Sequence, residues 1–504
     1  MKACLLLQRR FAYVGHAIAL ILQKKYGVRD FCGYVYLRSS LEFLKSQKEI
    51  NYTELLLEED IFKRYENEPL NPNYLRLLEK EYGTPNLWPY IEIDRIIRHS
   101  QLLREYPYDS PKYSHEEMMR ILQVKARAII DFLERQRPDL ILFSVINDMS
   151  TLLLYNIAKK KNIKTLFMHP GRVKMLYSIT ETYEKLSYIE ETFNQIRGGK
   201  ASYPEQADQA KAFLEDFRKN PVPHSFLDSP KSRAISRAKQ FSFLLPGKII
   251  NSLRWNAKIF IDYFTDPHKD DYDTIKPWHF IWDRFKRKIR VLVGYDDLYD
   301  PIKPGESFAF FPLQFEPEMA SSLFAPFYRD QLWLARLAAR SLPVHFKLYI
   351  KEHPSMFSYR ARAFYKELKK IPNVKLIKPS EMSFGITQAA KIVIITTGTA
   401  GWEAILMKKP VITFGGAFYN ILPMVKKCRA IEDLPALVES QLQNFSHDEK
   451  ILIDFITAIY KESVDVNMAQ LWNIDGGSRM EKKEKELAPL VDIIAKKLGL
   501  NPTQ

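Results

Sequence analysis

The sequence predicts an α/β protein with two doubly wound, mainly parallel sheets joined by a helical connector. The chain has 504 residues, which is too many for a single hydrophobic core. Short apolar runs alternate with longer amphipathic segments before residue 193 and again after residue 305, as strand–helix–strand units do. The stretch between these two parts is rich in proline and charge and has no strand pattern. Each outer part is therefore expected to form a domain of its own.

The first part opens with an apolar run at residues 3–8, which predicts a buried strand, and continues into a helix over residues 14–25. Residues 138–144 and 164–168 predict two further strands, because their apolar residues are continuous, as in strands buried on both faces. A helix over residues 150–161 lies between them. Residues 41–135 are read mostly as charged helices. Together they predict a Rossmann-like domain over residues 1–193.

The second part repeats the alternation. Five strands are predicted, at residues 308–313, 346–351, 375–377, 392–395 and 410–414, with helices at 329–340, 359–369 and 401–407. This pattern predicts a second Rossmann-like domain over residues 305–445. Residues 194–304 would form the connector, and residues 446–504 would form C-terminal helices.

The cysteine content and the apolar segments indicate the cellular compartment. Only three cysteines occur, Cys4, Cys32 and Cys428, and they are scattered, which favours a reducing compartment and argues against a disulfide framework or a zinc site. The first ten residues lack the order of a signal peptide, and no apolar run is long enough to cross a bilayer. We expect a cytoplasmic protein that is soluble or peripheral at the inner face of the cell membrane.

The formal net charge of +15 would suit nucleic acid, an anionic membrane surface or phosphate-bearing substrates as partners. No nucleic-acid-binding motif is present, so phosphate-bearing ligands or an anionic membrane surface remain. Residues 231–264 and 276–290 mix basic residues with aromatic and aliphatic ones, which suits a membrane interface. The simpler alternative, slightly favoured, is a connector whose aromatic residues pack on the two cores while its lysines face water.

The clearest candidate for a binding loop follows the strand at residues 392–395. Thr396, Thr397, Gly398 and Thr399 lead into a new helix, where backbone N–H groups at the positive end of the helix dipole favour a phosphate. Glu403, about one turn into that helix, can accept from ribose hydroxyl groups. An ordinary N-cap gives the same pattern, so this loop is not specific by itself.

A second candidate loop follows the strand at residues 346–351. That strand delivers Lys351, Glu352 and His353 to its end, and Pro354 stops it. His353 can donate to a phosphate oxygen or protonate it as a sugar leaves, and Lys351 can add a positive charge. A capping or packing histidine is the plain alternative, but three functional side chains arrive together at the ligand edge of a sheet.

The third candidate loop follows the first strand of the second domain. It contains Gln314, Glu316 and Glu318. A carboxylate at this position can attack an anomeric carbon or act as a base toward an acceptor hydroxyl. A solvated acidic turn is the commoner outcome for such a sequence.

These motifs together resemble the capsule polysaccharide biosynthesis family, which includes bacterial Kdo transferases. The resemblance rests on Gln314-x-Glu316-x-Glu318, residues 351–354, residues 397–404 and residues 409–419, and it covers mainly residues 308–419. It implies a GT-B fold, in which two Rossmann-like domains face a central cleft and the second domain holds a nucleotide-sugar donor.

The resemblance also implies residue roles. His353 and Pro354 would contact the donor phosphate, as would residues 396–399, and Glu403 would be the family's helix glutamate. The carboxylate proposed to carry the sugar covalently, usually an aspartate, would be Glu318, which would make the enzyme retaining. CMP-Kdo is the implied donor and a polysaccharide or lipid-linked glycan the acceptor. Neither a metal nor a cofactor beyond the donor substrate is expected.

Three other functions fit the same residues. A UDP-sugar 2-epimerase would use a similar phosphate loop and carboxylates to move protons at the sugar's C2. A polyol-phosphate transferase would share the His-Pro motif and a basic surface. A non-catalytic scaffold of a capsule assembly complex would bind nucleotide weakly or not at all.

Overall fold

A computed structural model describes residues 1–103, 111–222, 241–316, 318–473 and 479–503. The chain divides into two compact units, and each contains one β-sheet. The first unit comprises Met1–Asp94, Tyr113–Pro230 and Glu449–Gln504, and the second comprises Arg95–Lys112 and Lys231–Asp448. The fold class is therefore α/β with two Rossmann-like parts, as predicted. The domain boundaries proposed from sequence stay predictions.

The strands of the described residues are numbered in chain order. They are β1 Lys2–Leu7, β2 Asp30–Val35, β3 Asn51–Leu57, β4 Leu140–Phe143, β5 Lys164–Pro170, β6 Leu176–Thr180, β7 Phe308–Pro312, β8 Lys347–Lys351, β9 Val374–Ile377, β10 Ile392–Ile395, β11 Val411–Thr413, β12 Val425–Lys427 and β13 Ser463–Asp465.

The α-helices are cited by their residues. Those of the first unit are Phe11–Tyr26, Arg38–Ser46, Glu58–Phe62, Pro72–Tyr82, Trp88–Glu92, His115–Gln136, Met149–Lys160, Ser187–Arg197, Pro204–Lys219, Glu449–Lys461, Met468–Asn473 and Met480–Leu498. Those of the second unit are Pro246–Thr265, Pro277–Val293, Met319–Ser322, Gln331–Arg340, Arg362–Lys369, Ser383–Ala389, Thr399–Leu406 and Leu434–Gln443.

The sheet of the first unit has the order β13-β6-β5-β4-β1-β2-β3. Strands β1 to β5 pair in parallel, whereas β6 and β13 are antiparallel to their neighbours. Strand β1 lies in the interior of the sheet between β4 and β2, and its residues from Ala3 to Leu7 are buried. The C-terminal helix Met480–Leu498 packs on the helix Phe11–Tyr26 through buried aliphatic side chains, which places the end of the chain in this unit.

The sheet of the second unit is parallel throughout, in the order β12-β11-β10-β7-β8-β9. In chain order within this unit, the sequence is 3-2-1-4-5-6 from one edge, which is the Rossmann arrangement. Such a sheet has a switch point, where the chain returns to the middle and continues outward in the other direction. Here the switch point lies between β7 and β10.

Most strands and helices predicted from sequence are present within one or two residues, including β1, β4, β7, β8 and β10. The interpretation of residues 41–135 as mostly helical was wrong at β3. Its residues, Asn-Tyr-Thr-Glu-Leu-Leu-Leu, suit a helix as well as a strand by local pattern, and parallel pairing with β2 decides the outcome. None of the described helices combines the length and apolar character that a bilayer span requires.

Candidate functional site

All three predicted loops lie at the carboxyl edge of the second unit's sheet. They follow β7, β8 and β10, which are adjacent and parallel, so their ends share one edge. The loops after β7 and β10 flank the switch point, where open parallel sheets leave a crevice for ligands. We call this region the switch-point site and define it by Gln314, Lys351, His353, Gly398 and Glu403.

Gln314 and Gly398 join the loops after β7 and β10. A methyl group placed on the Cα of Gly398 would lie 2.7 Å from Oε1 of Gln314, so the amide of Gln314 lies against the backbone of the loop after β10. The backbone N–H of Gln314 donates to Oε1 of Gln331 at 2.5 Å, and its side-chain amide donates to the carbonyl of Pro312 at 3.2 Å. The glutamine is held, and glycine at residue 398 allows its close approach.

Tyr419 also holds the loop after β10. Its buried hydroxyl donates to the carbonyl of Gly398 at 2.8 Å. A Cβ atom on Gly401 would overlap that hydroxyl, so only glycine fits at residue 401. Gly398 is also the N-cap of the helix Thr399–Leu406 and has no side chain to accept the helix's first N–H groups. The N-terminus of this helix follows β10 directly and so lies next to the switch point.

Lys351 ends β8 and is almost fully buried, with 4% of its surface exposed. Its backbone carbonyl accepts from the N–H of Leu313 at 2.9 Å, which ties the end of β8 to the end of β7. Burial lowers the pKa of Lys351 to about 8, and the carboxylates of Glu352, Glu381 and Glu403 oppose that shift. Lys351 is thus a positive charge near Glu403, and its protonation is sensitive to small changes in its surroundings.

His353 lies just beyond β8 and is half-buried. Its Nδ1 accepts from the backbone N–H of Ser355 at 3.2 Å, so a neutral imidazole must carry its proton on Nε2. The ring packs on Phe315, with centroids 5.3 Å apart and planes inclined at 30°. The loop geometry thus makes Nε2 of His353 a donor, which is the form that a phosphate oxygen needs.

A buried ion network lies beneath the site. Arg360, which is fully buried, donates from Nη1 to both carboxylate oxygens of Glu352 at 2.5 and 2.6 Å. Its Nη2 donates to Glu316 at 2.9 Å and to the carbonyl of Gln314 at 3.0 Å. Tyr365 also donates to Glu352 at 2.7 Å. The network thereby joins the loops after β7 and β8 through one guanidinium group.

The two carboxylates predicted on the third loop lie in different surroundings. Glu316 is buried, and burial raises its pKa although Arg360 favours the charged form. Glu318 is exposed, and its backbone carbonyl accepts from the N–H of Ser321 in the short helix Met319–Ser322 that follows it. Glu316 therefore holds the loop in place, and Glu318 is the carboxylate that solvent can reach.

The remaining predicted residues lie in the loops after β8 and β10 and in the helix Thr399–Leu406. Thr396 and Thr397 are buried, Thr399 and Glu403 are half-buried, and Pro354 begins a short 3-10 helix after His353. The hydroxyl of Thr396 has no hydrogen-bond partner among the described residues. The three loops that carry these residues lie at one edge of the sheet. The roles of the residues stay predictions.

Arg360 and Tyr419 were missed as organisers of the site. From sequence, Tyr419 was included only among the residues that carry the family resemblance. Arg360 lay in the first turn of a predicted helix and was given no other role. Its partners, Glu352 and Glu316, are 8 and 44 residues away. Sequence did offer one signal, because Glu316 and Glu352 both follow predicted strands. If both carboxylates are buried, a buried cation such as arginine must pair with them.

Comparison with known proteins supports the resemblance in this part of the chain. Residues 302–432 match the model of a family described as "Capsule polysaccharide biosynthesis protein". The match spans β7 to β12 and so contains the whole switch-point site. The comparison with curated proteins gives no match.

Solved structures provide more distant likenesses. The β-Kdo 2,7-transferase KpsC of Thermosulfurimonas dismutans is 13% identical, with 72% of this chain and 89% of that chain covered and a TM-score of 0.37. The KpsC β-Kdo 2,4-transferase of the same organism is 12% identical, with 63% and 78% covered and a TM-score of 0.34. The UDP-GlcNAc 2-epimerase of Neisseria meningitidis is 14% identical, with 98% and 100% covered and a TM-score of 0.22. Scores this low decide neither fold nor function.

Proposed function

We propose that this chain, whose residues 302–432 match the capsule polysaccharide biosynthesis family, is a cytoplasmic glycosyltransferase. It would transfer a sugar from a nucleotide-activated donor to a capsular or surface polysaccharide or to a lipid-linked glycan. The observation that carries the proposal is the meeting of three loops at the switch point, which brings Lys351, His353 and the N-terminus of the helix Thr399–Leu406 to one edge of the sheet.

Each of these groups suits a phosphate. Lys351 supplies charge, Nε2 of His353 supplies a directed donor, and the helix N-terminus supplies backbone N–H groups and a favourable dipole. The buried hydroxyl of Thr396 has no hydrogen-bond partner among the described residues. An oxygen of the bound phosphate would supply that partner. Glu403 would accept from the ribose.

Glu318 would form the glycosyl–enzyme intermediate of a retaining reaction. Its carboxylate oxygen would bond to the anomeric carbon as the bond to the nucleotide's phosphate oxygen breaks, and Nε2–H of His353 would donate a hydrogen bond to that oxygen as its negative charge develops. The acceptor's hydroxyl oxygen would then displace the Glu318 carboxylate from the anomeric carbon, and the hydroxyl proton would pass to solvent water. We favour Glu318 over Glu316 because Glu316 is buried against Arg360. Glu318→Gln should abolish sugar transfer while leaving nucleotide binding intact.

Nucleotide-dependent thermal stabilisation tests the donor site. One of CMP, UDP, GDP or CDP should raise the thermal midpoint, and CMP is the first choice because the resemblance implies CMP-Kdo. His353→Ala should abolish the shift, whereas His345→Ala should keep it, because His345 is exposed elsewhere in the same unit. If none of the four nucleotides stabilised the protein, the proposal would be wrong.

A further inference from the structure

The two helices Pro246–Thr265 and Pro277–Val293, here called the helical pair, expose an unusual amount of apolar surface. No residue from Pro246 to Thr265 is buried. The exposed fraction is 63% for Leu253, 62% for Phe264 and 63% for Val293. The exposure of Phe264, and of Trp282 at 56% and Phe285 at 51%, contradicts the expectation that the aromatic side chains here pack on the cores. Lys231, Arg233, Arg237 and Lys239, which belong to the same basic segment, lie outside the described residues.

The exposed apolar residues form a stripe on each helix. At ~100° per residue, each set falls within about a 120° arc. On the first helix the stripe consists of Ile249, Ile250, Leu253, Ile261 and Phe264, and on the second it consists of Trp278, Ile281, Trp282, Phe285, Ile289, Leu292 and Val293. A stripe of this kind faces the core in an ordinary amphipathic helix, whereas here both stripes face outward.

The other sides of the two helices have partners within the unit. The helices pack on each other through Trp255 and Phe280, whose ring centroids are 5.9 Å apart, and through Arg284, whose guanidinium lies 3.4 Å from the ring centroid of Trp255. Arg290 donates to the carbonyl of Ser358 at 3.2 Å, and the second helix is thereby attached to the loop that precedes Arg360. The outward direction of the second stripe is thus fixed by contacts on the opposite side.

Basic side chains accompany the stripes. The basic residues of the helical pair outnumber its two acidic residues, Asp262 and Asp283, and they are Lys248, Arg254, Lys258, Arg284, Lys286, Arg287, Lys288 and Arg290. At ~100° per residue, Lys286 and Lys288 lie on opposite edges of the second stripe. Asp283 is paired with Arg287 at 2.8 Å, away from the stripe. The exposed apolar surface is therefore bordered by positive charge.

We propose that the helical pair docks this protein on an anionic lipid surface. The stripes would enter the boundary between headgroups and acyl chains, with Trp278 and Trp282 at the interface, while Lys286 and Lys288 contact lipid phosphates. An anionic membrane fits better than a second copy of the chain, because the positive border of one copy would repel that of another.

Vesicle flotation of the full chain tests this docking. Vesicles with about one third phosphatidylglycerol in phosphatidylcholine should bind the protein, pure phosphatidylcholine should bind it at least tenfold more weakly, and 0.5 M NaCl should weaken binding. Lys286→Glu/Lys288→Glu should lower the partition coefficient by about fivefold or more per lysine. Leu253→Ser/Ile261→Ser/Phe264→Ser should reduce it to background.

Val344→Ser is the matched control, because Val344 is fully exposed in the same unit but outside the helical pair. It should bind vesicles as the natural protein does. Circular dichroism confirms that each variant folds, and the nucleotide-induced thermal shift, which depends on other residues, separates failure of docking from failure of the proposed activity. Equal binding to both vesicle types would overturn the proposal. The proposal would also be wrong if the natural protein bound no vesicles and instead formed a dimer, detected by sedimentation velocity, that the triple variant disrupts.

Discussion

Arg360 donates to Glu352 through both carboxylate oxygens, at 2.5 and 2.6 Å, in an environment without solvent access. The same guanidinium reaches Glu316, so one positive charge holds two carboxylates from two loops of the switch-point site. Glu352 precedes His353, and Glu316 lies two residues from Gln314 and from Glu318. The positions of the candidate functional residues therefore depend on a residue that need not contact any ligand.

Arg360→Leu should destabilise the second unit by about 3–5 kcal/mol, because two buried carboxylates lose their partner. Urea unfolding monitored by tryptophan fluorescence measures the loss. Arg362→Leu is the control, since Arg362 pairs with the exposed Asp297 and should matter much less. Equal midpoints for the Arg360→Leu variant and the natural protein would show that the network does not stabilise the fold.

Gly401→Ala should destabilise the second unit by about 1–3 kcal/mol through overpacking against Tyr419. It should also weaken nucleotide binding, because the Tyr419 hydroxyl holds the Gly398 carbonyl. Combining it with Tyr419→Phe should cost less than the sum of the two changes, since the phenylalanine removes the closest atom.

Gly385→Ala provides the control for that change. Gly385 lies within the helix Ser383–Ala389, and no neighbouring atom beyond the helix's own backbone lies within 4 Å of the position that a methyl group would take there. Alanine should stabilise this helix by about 0.5–1 kcal/mol. If both glycine variants had the same thermal midpoint, the close packing at Gly401 would have no energetic consequence.

Nucleotide affinity should fall as the pH rises above about 8, the pKa to which burial lowers Lys351. Deprotonation removes a positive charge from the site, and binding of an anion favours the protonated form, so the dissociation constant should increase by up to about tenfold per pH unit. Isothermal titration from pH 6.5 to 9.5 measures this slope.

Lys351→Arg should flatten the profile, because a guanidinium keeps its charge over the whole range. A pH profile of the same slope in the arginine variant would assign the dependence to another group. The test concerns affinity alone and does not require a known sugar or acceptor.

Asp148→Asn should stabilise the first unit at neutral pH. Burial first, and then the nearby carboxylates Asp94 and Glu58, raise the pKa of Asp148 to about 6, while Lys125 opposes the shift. An acid with a raised folded-state pKa holds its proton more tightly than the unfolded chain does, so stability falls as the pH rises from about 4 to 6 and then stays low. Asparagine removes this penalty, for a gain of about 1–3 kcal/mol at pH 7.

The asparagine variant should keep the helix cap, since Oδ1 of Asp148 accepts from the N–H of Thr151 at 2.9 Å and an amide oxygen can do the same. Its advantage should shrink as the pH falls from 7 towards 4. Asp330→Asn is the control, because Asp330 caps another helix at an exposed position. An advantage that did not change with pH would rule out titration of Asp148 as the cause.

The sequence alone determined the architecture and the ends of the important strands. The apolar runs of β1, β4 and β10 are continuous and short, as strands buried on both faces of a parallel sheet are, so run length and local composition predicted them. It also identified Lys351, His353 and Gly398 at strand ends, because parallel strands present ligand loops at one edge. The segment of β3 was wrongly predicted as helical, because its hydrophobic pattern fits the repeat of a helix as well as that of a strand.

Only the tertiary structure decided what surrounds those residues. Arg360 meets Glu316 across 44 positions of sequence, and Tyr419 meets Gly398 across 21, and no local pattern encodes either distance. Tertiary packing likewise decided that the apolar stripes of the helical pair face outward, because an amphipathic helix has the same sequence whether its apolar side meets a core or a solvent boundary. Burial and charge pairing are properties of segments brought together by folding, and they set the chemistry that each residue can perform.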